Sequence, residues 1–152
     1  PRSNPTLANF TILGTKGAAA KGGSALLLRK GSAVQFYNSI FTGGKKGCID
    51  FDDEATTAQG GILFEGNFLH CTTAFEAEAG ETVNVADYFT TENFNEIMDP
   101  MLDGYTPVTG SPVVIGEEIS PVDPFFSSTD FAGAVRDAND TWYKGWTNLA
   151  RD

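Results

Sequence analysis

The sequence is poor in the side chains that most often carry out chemistry. One histidine, His70, and two cysteines, Cys48 and Cys71, occur in 152 residues. Gly-x-Ser-x-Gly, a phosphate-binding loop and His-Glu-x-x-His are all absent, which removes the commonest motif-borne routes to hydrolysis. No apolar run approaches the ~18 residues needed to cross a bilayer as a helix, so no membrane span is expected. There is no charged-then-apolar leader. Because the chain starts at Pro1 without a methionine, it is expected to be a processed or truncated piece of a longer protein, and the missing leader carries no information on export.

Acidic residues are missing from the first third. Residues 1–49 hold Arg2, Lys16, Lys21, Arg29, Lys30, Lys45 and Lys46 but no Asp or Glu. All 20 acids lie in residues 50–152, against Arg136, Lys144 and Arg151, and the net charge is −10. If position in the chain maps onto position along an axis, one end is basic and the other acidic. That polarity favours docking of Lys16, Lys21, Arg29, Lys30, Lys45 and Lys46 on an acidic preceding portion or on a further copy of the chain. The bland alternative is that these side chains coat solvated bends. Nucleic acid is not an expected partner, since the basic residues lack interleaved aromatics and the pI is about 4.4.

What the sequence does have is a period. Asn9, Asn38 and Asn67 recur at 29-residue intervals, each followed by a short apolar segment: Phe-Thr-Ile-Leu, Ser-Ile-Phe-Thr and Phe-Leu-His-Cys. The spacing exceeds a hairpin meander and falls where each repeat forms one turn of a solenoid. A single turn cannot bury its own apolar side chains, whereas a second turn about 4.8 Å away pairs every strand in parallel and buries an inner column. The expected fold is therefore all-β, a right-handed parallel β-helix with coils of about 29 residues. Asparagine tolerates left-handed bends and its amide can bond to the residue stacked on it, so Asn9, Asn38 and Asn67 are expected to form a structural ladder.

The chain divides into coils over 1–79 and a wrap and cap over 80–152 of the same domain. The spacing of Phe94, Ile97 and Met98 predicts a short helix over 90–98, after which Pro107, Pro112, Pro121 and Pro124 disfavour central strands. An open solenoid end needs covering, and Phe125, Phe126, Phe131, Trp142 and Trp146 are the expected aromatic cap. The segments Pro5–Gly14, Leu27–Gly31 and Tyr37–Phe41, with the ending Phe125-Phe…Thr129-Asp-Phe-Ala-Gly-Ala…Trp142-Tyr-Lys-Gly-Trp-Thr147, resemble the C-terminal part of a family of secreted or surface-associated bacterial proteins, often labelled hypothetical or lipoprotein. The resemblance implies a right-handed parallel β-helix, export and a further N-terminal portion. It implies no catalytic residue, and the two cysteines depart from the pattern.

In an exported protein Cys48 and Cys71 would normally bridge. Against this, their separation of 23 residues falls short of the period, and Cys48 opens a second-face strand whereas Cys71 ends the preceding face, an offset that can exceed the ~7 Å reach of a disulfide. Metal binding by the pair is not expected, because His70 alternates to the opposite strand face from Cys71. The one candidate cation site is the acidic knot Asp50, Asp52, Asp53 and Glu54, whose clustered oxygens suit Ca²⁺ but lack the glycine-punctuated spacing of calcium loops. Otherwise no cofactor is expected.

An enzyme acting on polysaccharide would need paired carboxylates or a base in a groove. Lys30, Glu65, His70 and Glu76 offer the groups, but no pattern fixes them together. Glycan binding without catalysis is a further alternative, with Tyr37, Tyr88, Tyr105, Tyr143 or the tryptophans Trp142 and Trp146 as stacking platforms. The sequons at Asn9 and Asn139 are incidental if the source is bacterial. The sequence thus favours a non-enzymatic structural module of the cell surface or extracellular space, self-assembling or docking through its basic first coils.

Overall fold

Strands of three residues are too short to stand alone, and this chain solves the problem by stacking them. The computed structural model describes residues 2–14, 23–58, 60–77, 82–145 and 147. A first layer contains β1 (Thr6–Ala8), β2 (Thr11–Leu13) and β3 (Leu26–Leu28). A second contains β4 (Gln35–Tyr37), β5 (Ile40–Thr42) and β6 (Ile49–Phe51), and a third β7 (Leu63–Glu65) and β8 (Phe68–His70). Pairing between layers is parallel, with Thr6 opposite Gln35, Thr11 opposite Ile40 and Leu26 opposite Ile49. The third layer sits 28 positions on, Gln35 opposite Leu63 and Ile40 opposite Phe68. It is completed by a bridge between Ile49 and Phe75.

The expectation of a right-handed parallel β-helix is corrected at this point. The strands form several short, separate sheets, and they do not make a single continuous solenoid. Parallel pairing stops at β9 (Glu96–Ile97), which lies beside β8. Beyond it the chain turns antiparallel, in β10 (Leu102–Asp103) with β11 (Thr106–Pro107) and in β12 (Val114–Ile119) with β13 (Thr129–Phe131). The physical reason is local: past residue 98 the apolar period is lost and prolines remove the amide donors that a further parallel layer would need.

The bends between strands explain the asparagines. Asn9 and Asn38 take left-handed φ values of 56° and 46° directly after the paired residues Ala8 and Tyr37. In the third layer that position belongs to Gly66, φ 69°, because Glu65 is the partner of Tyr37. Asn67 therefore lies one place later, level with Ser39. A second column results, Phe10, Ser39, Asn67 and Asn95, in which each layer accepts a hydrogen bond from the one before. Phe10 N donates to Ser39 Oγ at 3.1 Å, Ser39 N to Asn67 Oδ1 at 2.9 Å and Asn67 N to Asn95 Oδ1 at 3.0 Å. The amide of Asn67 also donates to Phe36 O at 2.9 Å, and that of Asn95 to Phe64 O at 2.7 Å. Three of these four column residues are fully buried, so satisfaction of their polar atoms is obligatory.

Inside the layers, apolar side chains align in columns. Phe36 stacks on Phe64 with centroids 6.1 Å apart and planes at 10°, and Phe41 meets Phe36 edge-on at 4.9 Å. Phe89 closes the column, 5.7 Å from Phe64 and 5.9 Å from Phe75, while Tyr88 packs 5.4 Å from Phe51. The aromatic plug thus comes from the 3₁₀ turn Val85–Tyr88 and Phe89, capped at its start by Asn84.

The expected C-terminal cap does not do this. Phe125 is 84% exposed and Trp142 53% exposed; Phe126 and Phe131 are half-buried, and Trp146 lies outside the described residues. Phe131 instead carries the Arg136 guanidinium 5.5 Å from its ring. The helix expected over 90–98 is also replaced. A 3₁₀ turn at Thr91–Asn93 ends in Phe94 at φ 57°, and Asn95 then turns inward to continue the buried column.

The amides of Asn9 and Asn38 point the other way, to the β12–β13 pair. Asn9 Nδ2 donates to Phe131 O at 3.0 Å, and Asn38 Nδ2 to Ile119 O at 2.7 Å. Gly133, φ 90°, makes this close approach feasible, since a Cβ there would lie 2.6 Å from Ile40 Cδ1. A second small core of Ile40, Phe68, Val113 and Ala132 forms beneath.

Asn67→Ala strips acceptor and donor from buried Ser39 N and Phe36 O and is expected to cost about 2–4 kcal/mol. As a control, Asn139→Ala, on an exposed surface turn, should cost less than about 0.5 kcal/mol. Urea denaturation of the two variants checks the difference.

Candidate functional site

Cys48 and Cys71 form a disulfide with Cα atoms 5.5 Å apart. Closing a loop of this length contributes about 3 kcal/mol. The offset weighed from sequence disappears because Cys48 precedes β6 while Cys71 follows β8, and the parallel register brings the two ends together. Gly44 N donates to Cys71 Sγ at 3.4 Å, which holds the following bend against the bridge.

The acidic knot does not gather into one site. Asp53 caps the short helix α1 (Glu54–Ala58), accepting from Thr56 N at 2.9 Å and from Lys30 N at 2.8 Å. The Lys30 amide, then the Thr56 hydroxyl, hold its carboxyl below the usual range. Asp52 pairs with Arg29 Nε at 3.3 Å, Glu54 accepts from Thr82 Oγ1, and Asp50 is buried within β6. Among the described residues no group of three His, Cys, Asp or Glu side chains is placed to hold a metal ion.

The stacking likewise sets basic residues beside acids of another layer. Leu28 lies opposite Phe51, and the same offset sets Arg29 beside Asp52 and Lys30 beside Asp53. Lys46 Nζ lies 2.7 Å from Glu76 Oε1, and Ser24 Oγ donates to Glu76 Oε2 at 2.6 Å. The charge split along the chain is in this part a set of ion pairs between layers. Lys16 and Lys21 lie outside the described residues, and Lys45 is exposed.

Two features of the described surface remain as candidate sites. The first is a pair of sheet edges. The sheet β2-β5-β8-β9 ends at β2 on one side and β9 on the other, and β1 is the matching edge of β1-β4-β7. At the β2 end Leu7, Ile12 and Leu26 are only half-buried and Phe10 is 44% exposed; at the β9 end Phe94, Ile97 and Met98 are 51%, 58% and 44% exposed.

The second is a cleft of about 910 Å³ where β2, β5 and β8 end. Leu13, Thr42 and His70 form one side, the β10–β11 hairpin with Asp103 and Tyr105 the other, and Tyr143 and Asp99 also line it. His70 Nδ1 lies 3.4 Å from Asp99 Oδ1, which also accepts from Met101 N at 2.8 Å. The Tyr143 hydroxyl bonds to Thr106 Oγ1 at 3.2 Å.

The groups weighed for catalysis are scattered. Glu76 is tied to Lys46 and Ser24, Lys30 sits at the α1 cap, and Glu65 lies near Tyr37, whose phenol is pushed up by burial and then by that carboxylate. Only His70 reaches the cleft. That the hairpin walls the cleft and that His70 meets Asp99 could not be read from the sequence, because both depend on where the chain returns after β9. Comparison with protein-family models, curated proteins and solved structures gives no match.

Burial raises the cost of ionising Glu76, but Lys46 and Ser24 outweigh it and its carboxyl titrates below the ordinary value of 4.5. The folded value lies below the unfolded one, so the contribution is complete above that range and is lost as pH falls through the folded value. Lys46→Met is expected to lower stability by about 1 kcal/mol at neutral pH and to have a smaller effect near pH 2, since falling pH drives Glu76 towards its protonated form. Urea titrations at the two pH values check this.

Proposed function

We propose that the chain is a non-enzymatic structural module, exported to the cell surface or extracellular space, which assembles head to tail through its sheet edges. The observation that carries the reading is the parallel sheet β2-β5-β8-β9, whose two outer strands run in the same direction. A second copy, translated along the stacking direction, would set its β2 beside β9 in the same parallel pairing that β8 already makes. Such a contact is heterologous and does not close on itself, so it propagates.

Several features support it. Exposed apolar side chains lie at both ends, Phe10 at one and Phe94, Ile97 and Met98 at the other, and joining the ends would remove them from water. Charges complement across the joint: exposed Asp87, Glu92 and Glu96 lie at the β9 end, while Arg2 and Lys30 lie at the other. Unpaired strand edges are templates for further strands unless they are blocked. Export is supported by the disulfide, a bond that persists in oxidising compartments. No described helix is long and apolar enough to cross a membrane.

Light scattering with negative-stain microscopy tests the reading. Wild-type protein is expected to form rods that lengthen with concentration and shorten as salt approaches about 0.5 M, where screening falls to a few ångströms. Ile97→Asp, at an exposed edge position, should leave the thermal melt nearly unchanged and abolish the rods. A monomer at all concentrations, or rods that survive Ile97→Asp, would overturn it.

A further inference from the structure

We infer that the cleft beside His70 binds a neutral oligosaccharide. Its walls are the ends of β2, β5 and β8 and the turn of the β10–β11 hairpin, so it shares Leu13 with the edge strand β2 but is complete within one copy.

Size comes first. At about 910 Å³ the cleft stands in the upper part of the range for small-ligand sites, roughly 300–1,000 Å³, with room for about two or three sugar rings. Its two aromatic side chains are phenols, Tyr105 at the hairpin turn and Tyr143, and a phenol offers an apolar face for the C–H side of a pyranose with a polar tip for its hydroxyls. Tyr143 is fixed in place by its bond to Thr106 Oγ1 and by edge-on packing against Trp142 at 6.1 Å. Of the four tyrosines, these two are the ones available to a ligand here: Tyr37 is 6% exposed and Tyr88 packs on Phe51.

The polar groups decide the class. Asp99 and Asp103 are carboxylates that accept hydrogen bonds from hydroxyls, and the Nδ1 contact of His70 to Asp99 leaves Nε2 as the nitrogen for a ligand. Lys45 is the one cationic lining residue of fixed charge among those described. Two carboxylates against one ammonium disfavour a uronate or phosphate, and the ammonium disfavours a polycation. A neutral, polyhydroxylated ligand uses the acceptors without leaving a charge unpaired. The disulfide stiffens the floor at Cys71, so little ordering is required on binding.

The test is calorimetric titration of the folded protein with neutral trisaccharides, namely cellotriose, chitotriose, mannotriose and maltotriose, and with trigalacturonate as the anionic arm, each up to about 10 mM. Ile97→Asp protein, if monomeric, serves equally, so failure of the assembly reading leaves this experiment intact. Saturable binding of at least one neutral trisaccharide is expected, weakened about tenfold by Tyr105→Ala and by Asp103→Asn, with trigalacturonate weaker than the neutral ligand. Circular dichroism and the thermal melt confirm that the variants fold. Absence of binding by every neutral sugar, preference for trigalacturonate, or affinity unchanged in both variants would overturn the inference.

Discussion

Three-residue strands joined by bends leave backbone N–H groups that the sheet ladders do not reach, and buried ones must find an acceptor. This chain meets the constraint with one side chain per layer. Ser39, Asn67 and Asn95 each accept from the backbone of the preceding layer, at 2.9–3.1 Å. That column fixes the register between layers, because a one-residue slip would strand a buried amide and turn every core side chain outward. The stacked phenylalanines, the Cys48–Cys71 bridge and the pairing of Arg29 with Asp52 all follow from the same register.

The stack is unequal at its two ends. One is plugged by Val85, Tyr88 and Phe89, yet keeps an outer strand with Phe94 and Ile97 in water. The other presents β1, β2 and half-buried Leu7 and Ile12. Along its side, the β12–β13 pair is fastened by the bend asparagines, and the β10–β11 hairpin stands away from the strand ends to leave a cleft. The polarity that suits propagating contact and the recess that suits a ligand are therefore separate products of one stacking direction.

Some of this was readable from residues. The 29-residue recurrence of Asn9 and Asn38 corresponds to the pairing of β1 with β4 and to two left-handed bends. The third asparagine was misleading: the repeat shortens to 28, Gly66 takes the bend, and Asn67 moves to the buried column that ends at Asn95. The spacing of Phe94, Ile97 and Met98 fits a helical face as well as an exposed edge, and propensity cannot separate the two when a neighbouring strand offers pairing. The terminal aromatics suggested a cap by composition, whereas the plug uses Phe89, whose contacts with Phe64 and Phe75 join residues distant in sequence.

By itself the sequence determined the strand-sized apolar segments, the asparagine and glycine positions that bend them, and a cysteine pair able to bridge, because these are properties of residues and short spacings. Tertiary structure alone decided where parallel stacking stops, which aromatics close it, that Arg29 and Lys46 face acids of another layer, and that His70, Asp99 and Tyr105 share one recess. Each of these depends on the place to which a segment returns after a long excursion. That place is set by register and burial summed over the whole fold, and no local pattern encodes it.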